Sequence, residues 1–125
     1  MLLQELLYNF FYKIVICKGE NIEMKIITVC GSLRFKQEML EISEKMELQG
    51  NCMLTPIYPT KPDKDAYTED EVVILDKMHK EKIKLCDAIL VVNVNNYIGS
   101  STKSEIEFAK SLNKEIIYYT DLQNN

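Results

Sequence analysis

The sequence predicts an α/β protein: a doubly wound, Rossmann-like sheet of about four parallel strands with helices on both faces. Three observations support this prediction. From Met24 onward, short runs rich in β-branched residues alternate with longer segments of helical periodicity. The connections between these segments are short, and no internal repeat interrupts the alternation. Because crossovers between parallel strands are right-handed, this order places helices on both faces of one sheet.

The first half of the pattern is a strand, a helix and a second strand. Lys25 to Cys30 (KIITVC) is typical of a buried strand ended by Gly31, and helical periodicity follows over Phe35 to Leu48. A Gly-Asn turn then leads into the strand Cys52 to Ile57 (CMLTPI), which Pro56 should end because proline cannot donate a ladder hydrogen bond.

The second half contains two further helix–strand pairs. Tyr58 to Thr68 holds two prolines and predicts a loop long enough to cover a site. Thr68 should cap the following helix, with Glu71 as the return partner of a capping box. The remaining elements are predicted as the helix Glu69 to Cys86, the strand Ala88 to Asn93, the loop Asn95 to Ser101, the helix Thr102 to Asn113 and the strand Glu115 to Tyr119.

Composition and charge restrict the class of partner. A chain of 125 residues with 46% hydrophobic and 27% charged residues is typical of one globular domain. The net charge of −4 argues against a nucleic-acid polymer or an anionic membrane as partner, so the ligand should be small. The four cysteines include no C-x-x-C pair and no histidine at ligand spacing. We therefore expect reduced core thiols in a cytoplasmic protein, with no metal site and no cofactor.

Residues 1–23 differ from the rest of the chain. Met1 to Cys17 is apolar, but polar residues interrupt it too often for a membrane span, and it lacks the basic start and cleavage site of a signal peptide. Residues 18–20 (KGE) can be encoded by codons containing AAGGAG, which recruits bacterial ribosomes, and Met24 follows at a suitable distance. We therefore expect residues 1–23 to be an extension that is not native, and residues 24–125 to be the domain.

The carboxyl ends of the predicted strands should form the ligand site. In open parallel sheets, ligands bind at this edge, near the point where the strand order reverses. Three segments should meet there: residues 31–34, 56–68 and 93–105. The predicted substrate-binding residues in the first and third of these segments are Gly31, Ser32, Arg34, Asn93, Asn95, Gly99 and Ser101.

The segment from Gly31 to Arg34 has the features of an anion site. A strand–glycine–helix junction directs unpaired backbone N–H groups and the positive end of a helix dipole toward the edge of the sheet. Arg34 is the only arginine among fifteen basic residues, and its guanidinium suits a phosphate or carboxylate. The alternative is a surface arginine beside an ordinary turn.

Glu105 and His79 are the candidate catalytic residues, and each has a structural alternative. Glu105 should lie in the first turn of a helix at the site, where a carboxylate is well placed as a nucleophile. The sequence Thr102 to Glu105 also matches a capping box, and this pattern alone favours the cap. His79 falls on an apolar helix stripe, where a lone histidine is more often a core residue than a catalyst.

Several short segments also occur in a characteristic order. They are Cys30-Gly31-Ser32-Leu33-Arg34, Cys86-Asp87-Ala88-Ile89-Leu90-Val91-Val92-Asn93, and Gly99 through Thr102 to Glu105-Ile106 and Ala109, closed by Asn113-Lys114. With these segments, Met24 to Tyr119 resembles the nucleoside 2-deoxyribosyltransferase-like superfamily, which includes the 2′-deoxynucleoside 5′-phosphate N-hydrolases.

The resemblance implies a glutamate nucleophile, here Glu105, that attacks C1′ of a deoxyribose. A covalent glycosyl–enzyme intermediate would form as the base departs, followed by attack from water or a second base. It also implies that Ser32 and Arg34 bind a 5′-phosphate, and that the protein is a homodimer or larger. His79 stands where these enzymes keep an aspartate, so a histidine would protonate the leaving base.

Three functions follow as hypotheses. The first is an N-glycosidase or deoxyribosyltransferase-like enzyme that acts on a deoxynucleoside or its 5′-monophosphate. The second is a nucleotide-binding module without turnover, such as a sensor or regulatory subunit. The third is a structural α/β partner protein, which the clustering of Ser32, Arg34, His79 and Glu105 at the strand ends disfavours.

Overall fold

A computed structural model of the chain describes residues 14–17, 20–60 and 67–123. The strands are β1 (Ile14–Cys17), β2 (Glu20–Glu23), β3 (Ile26–Cys30), β4 (Cys52–Leu54), β5 (Ala88–Val91) and β6 (Glu115–Tyr118). The helices are α1 (Lys36–Leu48), α2 (Glu69–Leu85), α3 (Ser100–Ser111) and α4 (Tyr119–Gln123), with short 3₁₀ turns at Leu33–Phe35 and Val94–Asn96.

The central sheet confirms the predicted fold class. Four strands pair in the order β4-β3-β5-β6, and every pair is parallel. The chain moves outward from β3 to β4 and then returns to the other side of β3 to form β5. The strand order therefore reverses between β3 and β5, and the crevice expected at such a reversal lies above their carboxyl ends.

Two apolar layers cover the sheet. Helix α1 packs on one face through Met39, Ile42 and Met46, with Tyr119 and Leu122 of α4 packed against the same cluster. The other face carries α2 and α3, whose buried side chains include Ile83 and Ile106. Since both layers share the fully buried strand β5, the residues at its carboxyl end are held from both sides.

The ends of several elements differ from the sequence prediction. Strand β4 stops at Leu54 rather than Ile57, and the carbonyl of Thr55 instead accepts a hydrogen bond from Nζ of Lys82 at 2.7 Å. Strand β5 stops at Val91 rather than Asn93. The predicted capping box of α2 is confirmed, because Thr68 and Glu71 each bond the other's backbone N–H.

The N-terminal segment contains one structured unit within the described residues. Strands β1 and β2 form an antiparallel hairpin in which Ile14 pairs with Glu23. This hairpin is a two-stranded sheet of its own, separate from the four-stranded sheet. Residues 1–13 lie outside the described residues, so the expectation that residues 1–23 are not native stays a prediction. The helices of the described ranges include none with the length and apolar character needed to cross a membrane.

Candidate functional site

A cavity of about 550 Å³ opens at the carboxyl edge of the sheet. It lies between the β3–α1 junction, the segment after β4, and helices α2 and α3. Its apolar wall consists of Leu33, Pro56, Ile57, Pro59, Tyr67, Val72, Leu75 and Met78. Its polar lining consists of Asp76, His79, Lys82, Ser101 and Glu105, and Gly31 contributes backbone. The predicted loop Tyr58 to Thr68 reaches this cavity through Pro59 and Tyr67, while residues 61–66 lie outside the described residues.

Two side chains that line this cavity, those of His79 and Glu105, contact a third side chain, that of the buried Cys30, which is not among the lining residues. Cys30 is the last residue of β3, His79 lies in α2 and Glu105 lies in α3. The Sγ atom of Cys30 is 3.6 Å from Nε2 of His79, and the same nitrogen is 3.9 Å from Oε1 of Glu105. The side chains of His79 and Glu105 are only 10% and 12% exposed. A thiol, an imidazole and a carboxyl group are therefore in mutual contact beside a space large enough for a small molecule.

The packing of α3 explains why Glu105 faces this space. Thr102, Ile106 and Ala109 are buried at helical spacing and fix one stripe of α3 against the sheet and its neighbours. Glu105 lies at the margin of this stripe, whereas Glu107 points to solvent and pairs with Lys110 at 3.7 Å. The helix therefore holds one glutamate at the cavity and the next outside it.

The capping interpretation of Glu105 is wrong. Helix α3 begins at Ser100 with Gly99 as its N-cap, two residues earlier than the sequence predicts. Glu105 consequently lies in the second turn, beyond the first turn in which a side chain can bond the N-cap backbone. Thr102 is a buried residue inside the helix and not its cap. The Glu105 carboxyl group is thus available to the cavity.

Burial moves the pKa values of Glu105 and His79 toward the uncharged forms. Loss of solvation raises the pKa of Glu105 to about 7, with a further increase from Asp76 and opposing effects of the Cys30 hydrogen bond and Lys80. Loss of solvation and then the charge of Lys82 lower the pKa of His79 to about 4. Although 3.9 Å would permit an ion pair, the two shifts favour a neutral acid beside a neutral imidazole. Between these pKa values, the pair holds one proton.

The Cys30 thiol is part of the same network. Burial, followed by the neighbouring Glu105, raises the pKa of Cys30 well above its ordinary value. The thiol hydrogen-bonds the Glu105 carboxyl group, which stabilises the carboxylate. Cys30 is therefore a protonated donor in the site and not a thiolate nucleophile.

The predicted anion segment borders the cavity with only part of its residues. Gly31 lines it, and a Cβ atom there would lie 3.2 Å from the Val92 carbonyl oxygen, so a larger residue would require the two backbones to move apart by a few tenths of an ångström. Ser32 caps the 3₁₀ turn by accepting from the Arg34 N–H at 3.4 Å. The exposed Arg34 guanidinium lies 4.1 Å from the Tyr97 ring centroid and is not among the lining residues.

Of the predicted binding residues in the third segment, residues 93–105, only some border the cavity. Ser101 lines the cavity. Asn93 is buried, and its side chain makes two hydrogen bonds to Thr120, at 3.1 and 3.2 Å, which fixes the start of α4. Asn95 is exposed in a left-handed conformation with a φ of 54°. Gly99 has an ordinary φ of −76°, so its role as N-cap does not depend on glycine's conformational freedom.

Sequence reasoning missed three residues of the site. Cys30 is the buried core thiol that the sequence predicts, but its contact with His79 was not predicted, although a position directly before a glycine at a strand end lies at the ligand edge. Asp76 and Lys82 each lie three residues from His79 on α2, the spacing at which helical residues are neighbours. Lys82 also anchors the segment after β4 through its bond to Thr55.

No protein-family model and no curated protein matches this chain.

Proposed function

We propose that the protein is an N-glycosidase that cleaves the bond between base and sugar in a deoxynucleoside or its 5′-monophosphate. The observation that carries this proposal is the buried Glu105 carboxyl group at the cavity, 3.9 Å from the only histidine of the chain. A carboxylate beside a proton donor is the pair of groups that glycosidic bond cleavage through a covalent intermediate requires.

The cavity supports a ligand of this size and polarity. A volume of about 550 Å³ falls within the range of roughly 300–1,000 Å³ typical of small-molecule sites. The apolar wall formed by Pro56, Leu75 and Met78 suits the faces of a planar base. The polar groups of Ser101 and Glu105 line the same space and would contact the sugar.

The first step would transfer the sugar to the enzyme. With the shared proton on His79, Glu105 is a carboxylate and one of its oxygens attacks C1′. The electron pair of the C1′–N bond leaves with the base, which takes the proton from His79. The products are the free base, a glycosyl ester on Glu105 and a neutral imidazole.

The second step would release the sugar. A water molecule attacks C1′ of the ester, and the neutral His79 imidazole accepts the water's proton. The bond between C1′ and Glu105 breaks with its electron pair on the carboxylate, which restores the starting state with one proton on the pair. A second base in place of water would give transfer rather than hydrolysis.

The 5′-phosphate is assigned to the segment from Gly31 to Arg34. Gly31 lines the cavity, so a phosphate on the sugar would lie beside Ser32 and the N–H groups of the 3₁₀ turn. Arg34 is exposed on the same turn and carries the planar fork that binds phosphate oxygens. The phosphate would draw this guanidinium from the Tyr97 ring toward the cavity mouth.

A screen of deoxynucleosides and their 5′-monophosphates tests the proposal. Each compound is incubated with the full chain, release of free base is followed by chromatography, and binding is followed in parallel by thermal shift. We expect base release from at least one member of the set. A compound that raises the melting temperature but is never cleaved would favour a nucleotide-binding module without turnover.

A further inference from the structure

We propose that Cys30, His79 and Glu105 form a binding site for Zn²⁺. These residues offer a sulfur, a nitrogen and an oxygen whose ligand atoms all lie within 4.8 Å of one another. The site goes beyond the proposed glycosidase function, because binding a metal ion requires neither a substrate nor turnover.

The distances are close to those of a tetrahedral zinc centre. With bonds of about 2.0–2.3 Å to nitrogen, oxygen and sulfur, neighbouring ligand atoms in such a centre are separated by roughly 3.4–3.6 Å. The separation of Sγ of Cys30 from Nε2 of His79 is 3.6 Å, and that of Nε2 from Oε1 of Glu105 is 3.9 Å. The third separation, between Sγ of Cys30 and a carboxyl oxygen of Glu105, is within 4.8 Å, so side-chain rotation would have to bring these two ligands closer.

The chemistry of the three donors selects the metal. A cysteine sulfur and an imidazole nitrogen favour zinc over the hard cations Mg²⁺ and Ca²⁺, which prefer sites made of oxygen ligands. Three protein ligands leave a fourth tetrahedral position, which would face the cavity and take water. On binding, the Cys30 thiol forms its bond to zinc as a thiolate, and its proton passes to solvent.

Of the two ring nitrogens of His79, Nε2 is the one that faces the other two ligands. Its Nδ1 atom is buried and has no hydrogen-bond partner among the residues that the structure describes. A proton on Nδ1 leaves the lone pair of Nε2 directed toward Cys30 and Glu105. Cys30 is 1% exposed on a central strand, and Ile83 anchors α2 one turn after His79, so the backbone positions of two ligands are fixed by the core.

Zinc and the glycosidic reaction would compete for one carboxyl group. A Glu105 oxygen bound to zinc is not available to attack C1′, so the occupied site would be the inactive form of the proposed enzyme.

The sequence predicts no metal site because its four cysteines show no ligand spacing. The fold brings the ligands together although they are distant in sequence: Cys30 and His79 are 49 positions apart, and His79 and Glu105 are 26 positions apart.

Metal titration of the purified full chain without nucleotide tests this proposal. Zn²⁺ is titrated by calorimetry in competition with a chelator of known affinity, and Co²⁺ is titrated in parallel by absorption spectroscopy. We expect one equivalent of each metal and a thiolate-to-cobalt charge-transfer band. The variants are Cys30→Ser and Glu105→Gln, and Cys52→Ser is the matched control, since Cys52 is a free cysteine outside this cluster.

The variants decide between this site and adventitious binding. Loss of a residue that hydrogen-bonds a metal ligand weakens metal binding by about 10- to 100-fold, so loss of a ligand itself should weaken zinc binding by more than about 100-fold. Cys30→Ser should also abolish the charge-transfer band, and Cys52→Ser should leave band and affinity unchanged. If Cys30→Ser does not fold, the zinc affinity of Glu105→Gln is the deciding measurement. Weak or multiple binding, or a band that disappears with Cys52, would overturn the proposal and would leave the glycosidase question untouched.

Discussion

The Nε2 atom of His79 lies 3.9 Å from Oε1 of Glu105, and both side chains are about nine-tenths buried. Burial raises the pKa of the carboxyl group to about 7 and lowers that of the imidazole to about 4. The two groups therefore share one proton over the range between these values. The proposed first step requires this single proton. When the proton is on His79, the imidazolium is the acid and the Glu105 carboxylate is the nucleophile.

The pH dependence of base release follows from this proton count. The active form carries one proton on the pair, so the rate should be highest between about pH 4 and 7 and should fall as the last proton is lost above about 7. Initial rates measured from pH 4 to 9 test this prediction. A rate that rises through pH 7 and then stays constant would show that Glu105 acts without a proton from His79.

The same shift makes stability depend on pH. The pKa of Glu105 is about 7 in the folded chain against an ordinary 4.5, so the folded state binds more protons between these values. The contribution of Glu105 to the free energy of unfolding should therefore fall as pH rises from 4.5 to 7. Glu105→Gln removes this effect, so its stability relative to wild type should increase over that range. Urea unfolding at several pH values measures the difference, and a constant difference would contradict the raised pKa.

Arg34 is predicted to bind the 5′-phosphate. Arg34→Ala should weaken binding of a 5′-monophosphate by about 1.5–3 kcal/mol, the value of a hydrogen bond to a charged group, while the matching nucleoside is affected little. Calorimetry with both ligands measures this. Lys36→Ala is the matched control, since Lys36 is an exposed basic residue two positions away. Equal losses for nucleoside and monophosphate would show that Arg34 does not contact the phosphate.

The capping box of α2 predicts a measurable stability effect. Thr68→Ala removes the oxygen that accepts from the Glu71 N–H at 3.2 Å and should cost about 0.5–2 kcal/mol in the free energy of unfolding. Thr68→Ser keeps the hydroxyl and should stay near wild type. Chemical denaturation of the three proteins is the measurement, and equal losses in both variants would mean that the hydroxyl is not the source of the effect.

Residues 1–23 are predicted to be dispensable for folding. The four-stranded sheet is built entirely from residues after Met24, and within the part of the chain that the structure describes β1 and β2 pair only with each other. A chain that starts at Met24 should therefore be soluble and unfold cooperatively at nearly the same temperature as the full chain. A molten or insoluble product would show that the N-terminal segment is part of the core.

The order of strands and helices from β3 to β6 was predictable from sequence because each of these elements carries a local pattern. The hairpin of β1 and β2 and the short helix α4 were not predicted. The run from Ala88 to Val91 is fully buried in the structure, as a continuous apolar strand predicts. Element ends were less predictable, since they depend on distant partners. The segment after Leu54, for example, is held by a side chain from α2 and not by a neighbouring strand.

The candidate site was only partly predictable for a related reason. Glu105 and His79 were identified from their positions, but the Cys30 contact depends on three elements that meet only in the folded chain. The start of α3 decided the interpretation of Glu105. A match to a capping box shows which bonds a sequence permits, and only the position of the helix end shows whether they form.

The most direct test of the central claim compares base release by wild type, Glu105→Gln and Glu107→Gln on the compound that the screen identifies. Glu107 is the matched control, because it lies on the same helix but is exposed and paired with Lys110. We predict that Glu105→Gln stays folded and loses turnover by about 10³-fold or more, and that Glu107→Gln is unchanged. Comparable base release by Glu105→Gln and wild type would contradict the assignment of Glu105 as the nucleophile.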